Sequence, residues 1–221
     1  MARFLGGARG LVIAVSAVPL VAGALSGPAA AGVSASAGAP AARAASPASS
    51  SAPSASPVSS AYGGAAAKTV SYRGMRLSIP AAWRVVKQAG SAYVITGRCV
   101  PRAYECPGFW LHGPSAIRHG HEGNAYKPSR PYYPSSGMME CSRDRRYLEM
   151  ADERPRVAAL RPIGAKKAHH REWRFKCVTP NGGKVKLTYA QREWFLPRSQ
   201  ILVVDKWANP ALPGILARAR W

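Results

Sequence analysis

Histidines are the first side chains to examine for chemistry, because several lie close together in one stretch. Between Cys99 and Cys141 they occur with one acid: His112, His119, His121 and Glu122. In an extended chain the imidazoles of His119 and His121 point to the same side, which suits Zn²⁺ or Cu²⁺. The spacing matches no closed structural motif, however, and the surrounding charge is positive. We therefore predict no metal site and no cofactor, with His119 and His121 as the positions to inspect.

Catalytic side chains follow no pattern typical of an enzyme. A nucleophilic serine needs a neighbouring base, and the sequence has no G-x-S-x-G motif. Asp152 and Glu153 are adjacent in sequence, so their carboxylates do not flank a glycosidic bond as a hydrolase pair would. P-loop and dinucleotide-binding motifs are also missing from the sequence. We predict no catalytic residue, and a secreted hydrolase of cell-wall material remains an alternative.

The cysteines predict disulfide bonds. They are four in number, at Cys99, Cys106, Cys141 and Cys177, and an even number in an exported chain favours two bridges. Three pairings are possible and all remain open at this point. A bridge from Cys99 to Cys106 would close a small loop, and one from Cys141 to Cys177 would tie a long loop to a strand. A closed loop that exposes Arg102 also suits a protease inhibitor, which is a second alternative function.

Positive charge dominates the chain. Lys and Arg number 31 against 10 acids, which gives a net charge of +21. Such an excess attracts polyanions. Four of the cations lie on one side of a predicted hairpin, and we predict that they bind an anion: Arg174, Lys176, Lys184 and Lys186. The expected partner is an anionic cell-envelope polymer or an acidic protein.

Nucleic acid is the competing polyanion. Aromatic residues interleave with cations in the Cys-rich stretch, as in a surface that stacks single-stranded bases: Trp110, Arg118, Tyr126, Lys127, Arg130, Tyr132 and Tyr133. Export to the cell exterior favours the other polyanions, so nucleic acid is not the expected partner.

The N-terminal segment has the pattern of a secretory signal peptide. Arg3 and Arg9 precede an apolar run from Leu11 to Leu25, and Ala29–Ala31 offers an A-x-A cleavage site. The run is shorter than the ~20 residues that span a bilayer, so we expect no stable membrane insertion after cleavage. Residues 1–31 are thus a predicted signal peptide. Residues 32–67, which are nearly all Ala, Ser, Pro and Gly, are a predicted disordered linker, and the protein is expected to be secreted or cell-wall associated.

The remaining residues, 68–221, predict one α+β domain with an antiparallel twisted sheet and short helices. Alternating apolar residues predict strands on both sides of Gly74, around Val85, at Tyr93–Thr96 and at Val157–Ile163. Between Cys99 and Cys141 the sequence is irregular. Residues 143–150 are compatible with a short helix, and Asn209–Pro210 predicts the start of a C-terminal helix packed on the sheet.

The stretch from Lys167 to Asp205 predicts a three-stranded antiparallel meander. A symmetric five-residue turn at Thr179–Gly183 would place Phe175 opposite Leu187 and Lys176 opposite Lys186. After Tyr189 the alternation slips, which predicts a bulge at residues 190–192. The run Ile201–Val204 predicts a buried central strand.

One family resemblance follows from these elements. The segment Tyr72–Trp83, YRGMRLSIPAAW, resembles the aromatic-x-Gly-apolar-x-apolar-Pro-x-x-Trp motif that opens Mog1/PsbP-like α+β domains. The late meander and the helix at Ile215–Arg218 look like the end of those domains. The chain also resembles secreted actinobacterial proteins with a Trp-x-Leu-Pro step, here Trp194–Pro197, although the Cys-rich middle departs from the Mog1/PsbP pattern. The resemblance implies an accessory or binding role and transfers no functional residue.

Overall fold

A computed structural model describes residues 66–221. The predicted signal peptide and nearly all of the predicted linker lie outside these residues. The described strands are β1 (Ala67–Tyr72), β2 (Met75–Pro80), β3 (Arg84–Gln88), β4 (Ser91–Ile95), β5 (Gly108–His112), β6 (Met139–Cys141), β7 (Asp144–Ala151), β8 (Val157–Ile163), β9 (Lys166–Val178), β10 (Val185–Leu196) and β11 (Ile201–Asp205). The helices are α1 (Pro114–Arg118) and α2 (Leu212–Ala217).

Within residues 66–221 the fold is mostly antiparallel sheet with two short helices, which confirms the predicted antiparallel sheet, whereas the helices pack on it only weakly. Strands β1 and β2 form a separate hairpin. The other nine described strands form one curled, half-barrel sheet. Eight of them follow the order β3-β4-β5-β11-β10-β9-β7-β6, and β8 pairs with β9 beside this path. Strand β9 is long enough to pair with β10 along one edge and with both β8 and β7 along the other.

Two elements differ from the sequence-based prediction. Residues 144–151 form strand β7 and not a helix, because Glu149 on this segment turns inward and pairs with β9 and with a buried lysine. The Cys-rich stretch is not irregular throughout, because β5 lies in the middle of the sheet between β4 and β11. Its Gly108 has no room for a side chain, since an added Cβ would lie 2.4 Å from the Val94 carbonyl oxygen.

The meander is confirmed as β9, β10 and β11, but its register differs by two residues from the prediction. Phe175 pairs with Tyr189 and Lys176 with Thr188, not Leu187 and Lys186. The irregularity lies between Val185 and Leu187, so the bulge predicted at residues 190–192 was wrong. A shift of two residues leaves the side chains from Leu187 onward on their predicted faces. Before the irregularity, Val185 pairs with Val178 and is exposed, although it was predicted on the apolar face.

The sheet has two differently covered faces. One face, which we call the hairpin face, carries an apolar core built by β4, β5, β10 and β11 and covered by β2 and α2. The opposite face, the loop face, carries the aromatic rings Trp173, Phe175 and Tyr189 and is covered by the Cys-rich segment around Tyr126 and Tyr133. Most of the polar groups discussed below lie on the loop face.

The C-terminal helix forms, two residues later than predicted. Asn209 Oδ1 accepts a hydrogen bond from the Ala211 N–H at 2.9 Å, which makes a turn before the helix instead of a cap on it. The helix α2 begins at Leu212, and its Leu212, Ile215 and Leu216 join the core on the hairpin face. Its contacts are with β2 and the end of β8, so it covers only a corner of the sheet.

Both disulfides form, as Cys99–Cys106 and Cys141–Cys177. Bridges of this kind persist in oxidising surroundings, as outside the cell. Cys141 and Cys177 are fully buried, so their bridge belongs to the core of the loop face. Within the described residues, no helix has the length and apolar character needed to cross a membrane.

Candidate anion-binding sites

Surface charge in the domain is distributed very unevenly. Among residues 66–221, 22 Lys and Arg residues are exposed, against three acids, Glu122, Glu140 and Glu153. Two of these three acids lie within 4 Å of a cationic or titratable partner, Glu140 with Arg145 and Glu122 with His121. The outer surface is therefore far more one-sided in charge than the composition alone indicates.

Of the other seven acids, four are half-buried, namely Glu105, Asp144, Asp152 and Glu172, and three lie inside the protein. Glu149, Glu193 and Asp205 are fully buried. Glu149 Oε1 lies 2.6 Å from Lys206 Nζ, and Asp205 pairs with Arg192. Burial alone would raise the pKa of Glu149, but the Lys206 ammonium and its hydrogen bonds leave that pKa lowered. These carboxylates stabilise the interior and do not offset the positive surface.

Glu193 is held without a cation, by four hydrogen bonds. Its Oε2 accepts from the Tyr126 hydroxyl at 2.7 Å and the Trp173 indole at 2.9 Å. Its Oε1 accepts from the Tyr132 N–H and the Gln191 amide, both at 2.6 Å. Burial raises the pKa of Glu193, and these donors oppose the rise. The residue thus anchors the Cys-rich segment onto the loop face.

The four cations predicted from sequence, which we call the hairpin row, lie near the β9–β10 turn. Lys184 and Lys186 are exposed. Lys176 Nζ lies 2.6 Å from Asp152 Oδ1, so its charge is already paired. Arg174 is half-buried and pairs in register with Ala190. The observed register therefore leaves Lys184 and Lys186 as the freest members of this row.

A second basic site lies at the opposite end of β9 and was not predicted. We call it the turn pocket, a cavity of about 530 Å³ lined by Lys166, Lys167, His169, Leu196, Pro197, Arg198 and Ser199. It forms because Phe195 pairs with His169, which brings the β10–β11 turn beside the start of β9. No carboxylate of residues 66–221 lines it. The sequence contains both parts of this site, the Lys-Lys pair and the Pro-Arg-Ser turn. They are distant in sequence, and only the strand register shows that they are neighbours.

Contacts around Ser199 hold two of the nearby cations, Lys166 and Arg73. Lys166 Nζ donates to Ser199 Oγ at 3.0 Å and lies 3.3 Å from the centre of the Trp221 ring. The Trp221 indole in turn donates to the Ile163 carbonyl at 2.9 Å. Arg73 Nε approaches the Ser199 carbonyl oxygen at 3.5 Å. Arg73, Lys166, Lys167 and Arg198 are thus gathered around one turn.

A larger groove of about 840 Å³ runs between β7 and the segment 121–138. Its walls carry both signs of charge, with Arg130 and His121 facing the acids Glu122, Asp152 and Glu153. Its apolar part includes Met138 and Met150, which are 55% and 45% exposed. The mixed lining distinguishes this groove from the turn pocket.

The two histidines inspected for metal binding are engaged with the protein backbone. His119 Nδ1 lies 3.2 Å from the Gly123 carbonyl oxygen, and His121 Nδ1 lies 3.0 Å from that of Pro131. His112 is on β5, away from this pair, and stacks between Trp110 and Tyr132. Within residues 66–221, no group of three or more His, Cys, Asp or Glu side chains is arranged to hold a metal ion.

One serine–histidine contact occurs on neighbouring strands β4 and β5. Ser91 Oγ lies 3.1 Å from His112 Nδ1. Burial, with Lys206 nearby, lowers the pKa of His112 to about 3. Its Nε2 is buried and has no hydrogen-bond partner within the described residues. An imidazole of such low basicity is a poor general base at neutral pH, so this contact offers little for nucleophilic catalysis.

The Cys99–Cys106 loop keeps Arg102 exposed, but its backbone is engaged. Arg102 has a φ of 70°, which is not extended backbone, and its carbonyl oxygen accepts a hydrogen bond from the Arg145 N–H at 2.8 Å. The Cys106 carbonyl accepts another from the Tyr93 hydroxyl. Protease inhibition therefore stays a prediction that a trypsin assay tests.

The aromatic residues considered for base stacking pack against the protein. Tyr126 is buried and meets Phe195 edge-on. Trp110 lies between the Tyr93 and His112 rings, and Tyr132 stacks on His112. Their ring faces are largely used in packing the Cys-rich segment.

Comparisons with known proteins add no relative. No family model matches the chain, and searches of curated proteins and of solved structures find no match. The resemblance to Mog1/PsbP-like domains thus stays a prediction.

Proposed function

We propose that this protein is a non-enzymatic accessory protein that binds an anionic polymer of the cell envelope through its basic surface. The observation that carries the proposal is the separation of charge among residues 66–221, where 22 Lys and Arg residues but only three acids are exposed. An acidic protein is the alternative partner with the same charge.

The physical argument rests on many weak contacts. A single exposed ion pair contributes about 0–1 kcal/mol, so one lysine gives no useful affinity. A repeating polyanion engages several cations at once and releases bound counterions, which makes the combined binding strong at low salt. Because the Debye length is only about 8 Å at physiological ionic strength, such binding must weaken steeply as salt rises.

The hairpin row provides the first local test. Lys184 and Lys186 are exposed at the tip of the β9–β10 hairpin, where a polymer can approach without displacing packed side chains. Lys176 is a poorer choice for charge reversal, because a glutamate there would also face Asp152, its present partner. The double change Lys184→Glu with Lys186→Glu is therefore the cleaner perturbation of this row.

The experiment is a pelleting assay with purified cell-wall material that carries its anionic polymers. We expect retention at low salt and a fall in log affinity with log salt of slope about −3 if four cations engage. The Lys184→Glu, Lys186→Glu protein should bind more weakly than a matched protein with Arg84→Glu and Lys87→Glu on β3. Retention that is insensitive to salt, or equal on a neutral polysaccharide, would contradict the proposal.

A further inference from the structure

The turn pocket differs from the general basic surface, because it is concave and one of its cations, Lys166, is held in place by Ser199 and Trp221. We infer that it is a specific site for the phosphate group of a phosphodiester-linked polyol polymer. The inference rests on the proposed function and deepens it, since it names the chemical group that this part of the surface binds.

The number and kind of donors favour phosphate over carboxylate. Lys167 and Arg198 line the pocket beside Lys166, with Arg73 behind Ser199. A phosphodiester offers two charged oxygens and two ester oxygens, so it can accept hydrogen bonds from several donors around it. Arginine in particular matches phosphate with two parallel N–H bonds, whereas lysine contributes a point charge. A site with both types suits an anion with oxygens in several directions.

The pocket is organised before a ligand arrives. Lys166 is held by Ser199 Oγ and by the face of Trp221, and Trp221 is itself fixed to the Ile163 carbonyl. Side chains that are already positioned lose less conformational entropy on binding. The Ser199 hydroxyl lies among these cations and can donate a hydrogen bond to an anionic oxygen.

The walls of the pocket favour a polyol over a nucleotide. No Phe, Tyr or Trp from residues 66–221 lines the cavity, and the Trp221 face beside it is occupied by Lys166. Recognition of single-stranded nucleic acid normally requires a free aromatic face for base stacking. The volume of about 530 Å³ lies in the range of small-molecule sites, so it admits a phosphate together with its flanking polyol units.

The test measures direct binding of small probes to the purified protein by isothermal titration calorimetry. The probes are bis(glycerol) phosphate, glycerate as a small hydroxylated carboxylate, and an oligothymidylate. We expect saturable binding of bis(glycerol) phosphate, with glycerate weaker by at least about tenfold because it offers fewer acceptor oxygens. The assignment would be overturned if the oligothymidylate bound more tightly per phosphate than bis(glycerol) phosphate does. It would also be overturned if bis(glycerol) phosphate showed no saturable binding below about 10 mM.

Matched double variants locate the site. Lys167→Ala with Arg198→Ala should weaken binding of bis(glycerol) phosphate at least about tenfold, because two charged donors are removed from the pocket. Lys184→Ala with Lys186→Ala removes the same charge from the hairpin row and should change that affinity less than about twofold. Arg198→Lys keeps the charge but loses the paired donors, so we expect an intermediate loss. Equal losses in the two double variants would show a general charge effect and reject the pocket.

The two proposals fail in different ways. If bis(glycerol) phosphate binds at the pocket but wall material is not retained at any salt concentration, the proposed function is wrong and the pocket stands. If wall material is retained and both double variants lose the same affinity, the proposed function stands and the pocket assignment is wrong.

Discussion

Lys206 Nζ lies 2.6 Å from Glu149 Oε1. Lys206 directly follows β11 and Glu149 lies on β7, and these strands are separated in the sheet by β10 and β9. In a flat sheet, strands three positions apart lie about 14 Å from each other, beyond the reach of this side-chain pair. The contact therefore requires the sheet to curl toward the loop face. Ser142 closes the arrangement, because its N–H and hydroxyl donate to Glu149 Oε2 at 2.9 and 2.8 Å.

Replacing Lys206 by Met should strongly destabilise the fold. The change leaves the Glu149 carboxylate buried without its cation, and removal of one partner of a buried pair costs about 3–5 kcal/mol. The free energy of unfolding, measured in urea, checks this. Lys206→Met combined with Glu149→Leu should recover much of the loss, because no unpaired charge is left. A double variant as unstable as Lys206→Met alone would show that the pair stabilises through more than its charges.

Glu193→Leu should loosen the Cys-rich segment from the sheet. The change leaves three donors without an acceptor, the Tyr126 hydroxyl, the Tyr132 N–H and the Trp173 indole, so we expect a loss of at least about 3 kcal/mol. The hydrogen-exchange rate of the Tyr132 amide should increase more than the exchange rates of the amides in β11. The matched change Glu153→Leu on the exposed surface should alter stability by less than about 0.5 kcal/mol. Uniform acceleration across the domain would contradict a local anchoring role.

Much of the sheet can be predicted from alternating apolar residues in the sequence. The segments that were predicted wrongly share one cause, which is that they bury polar or charged side chains. Strand pairs around Gly74 and the meander were predicted because apolar residues alternate there. The alternation after Tyr189 was interpreted as a bulge because Gln191 and Glu193 take the inward positions. The structure keeps the strand regular and buries both side chains, since Tyr126, Tyr132 and Trp173 supply their hydrogen bonds. Hydrogen-bond partners so distant in sequence cannot be recognised from a local pattern.

Strand β7 was missed for the same reason. Tyr147 and Met150 are three residues apart, which suggested one side of a helix. The inward residue is instead Glu149, while Met150 is 45% exposed. A charged residue in the core is stable only with a partner, and that partner, Lys206, lies 57 residues later.

The candidate sites show the limit set by strand register. The hairpin row stays a predicted site, and its predicted Lys176–Lys186 pairing depended on a symmetric turn. The Thr179 N–H instead bonds to the Lys184 carbonyl, and the irregularity after Val185 shifts the register further. The turn pocket depends on the pairing of Phe195 with His169, so it could not be located without that register.

Stability should fall in acid because of His112. Burial lowers the pKa of its imidazole in the folded state to about 3, below the unfolded value near 6.5. The unfolded chain therefore binds the proton first, and stability is lost as the pH falls from about 6.5 toward 3. Between pH 7 and pH 4 this group should remove about 3 kcal/mol from the free energy of unfolding.

His112→Phe isolates this effect, because it keeps a ring in the stack with Trp110 and Tyr132 but cannot titrate. The variant should lose less stability than the original protein between pH 7 and pH 4, as measured by urea unfolding at each pH. His119→Gln, an exposed position in the same segment, provides the control. Parallel pH curves for the original protein and the His112→Phe variant would contradict the assignment.

The two disulfides should differ in both reactivity and contribution to stability. Cys99 is exposed, whereas Cys141 and Cys177 are fully buried, so a mild reductant should open Cys99–Cys106 first.

The disulfide loops span 7 and 36 residues. For loops of these lengths the chain-entropy model gives contributions of about 2.5 and 3.8 kcal/mol to the free energy of unfolding. Timed alkylation followed by mass spectrometry measures the order of reduction, and urea unfolding of the paired Cys→Ala variants measures the energies. Reduction of both bridges at one rate would mean that each opens through global unfolding, which would contradict the predicted independent exposure of the Cys99–Cys106 loop.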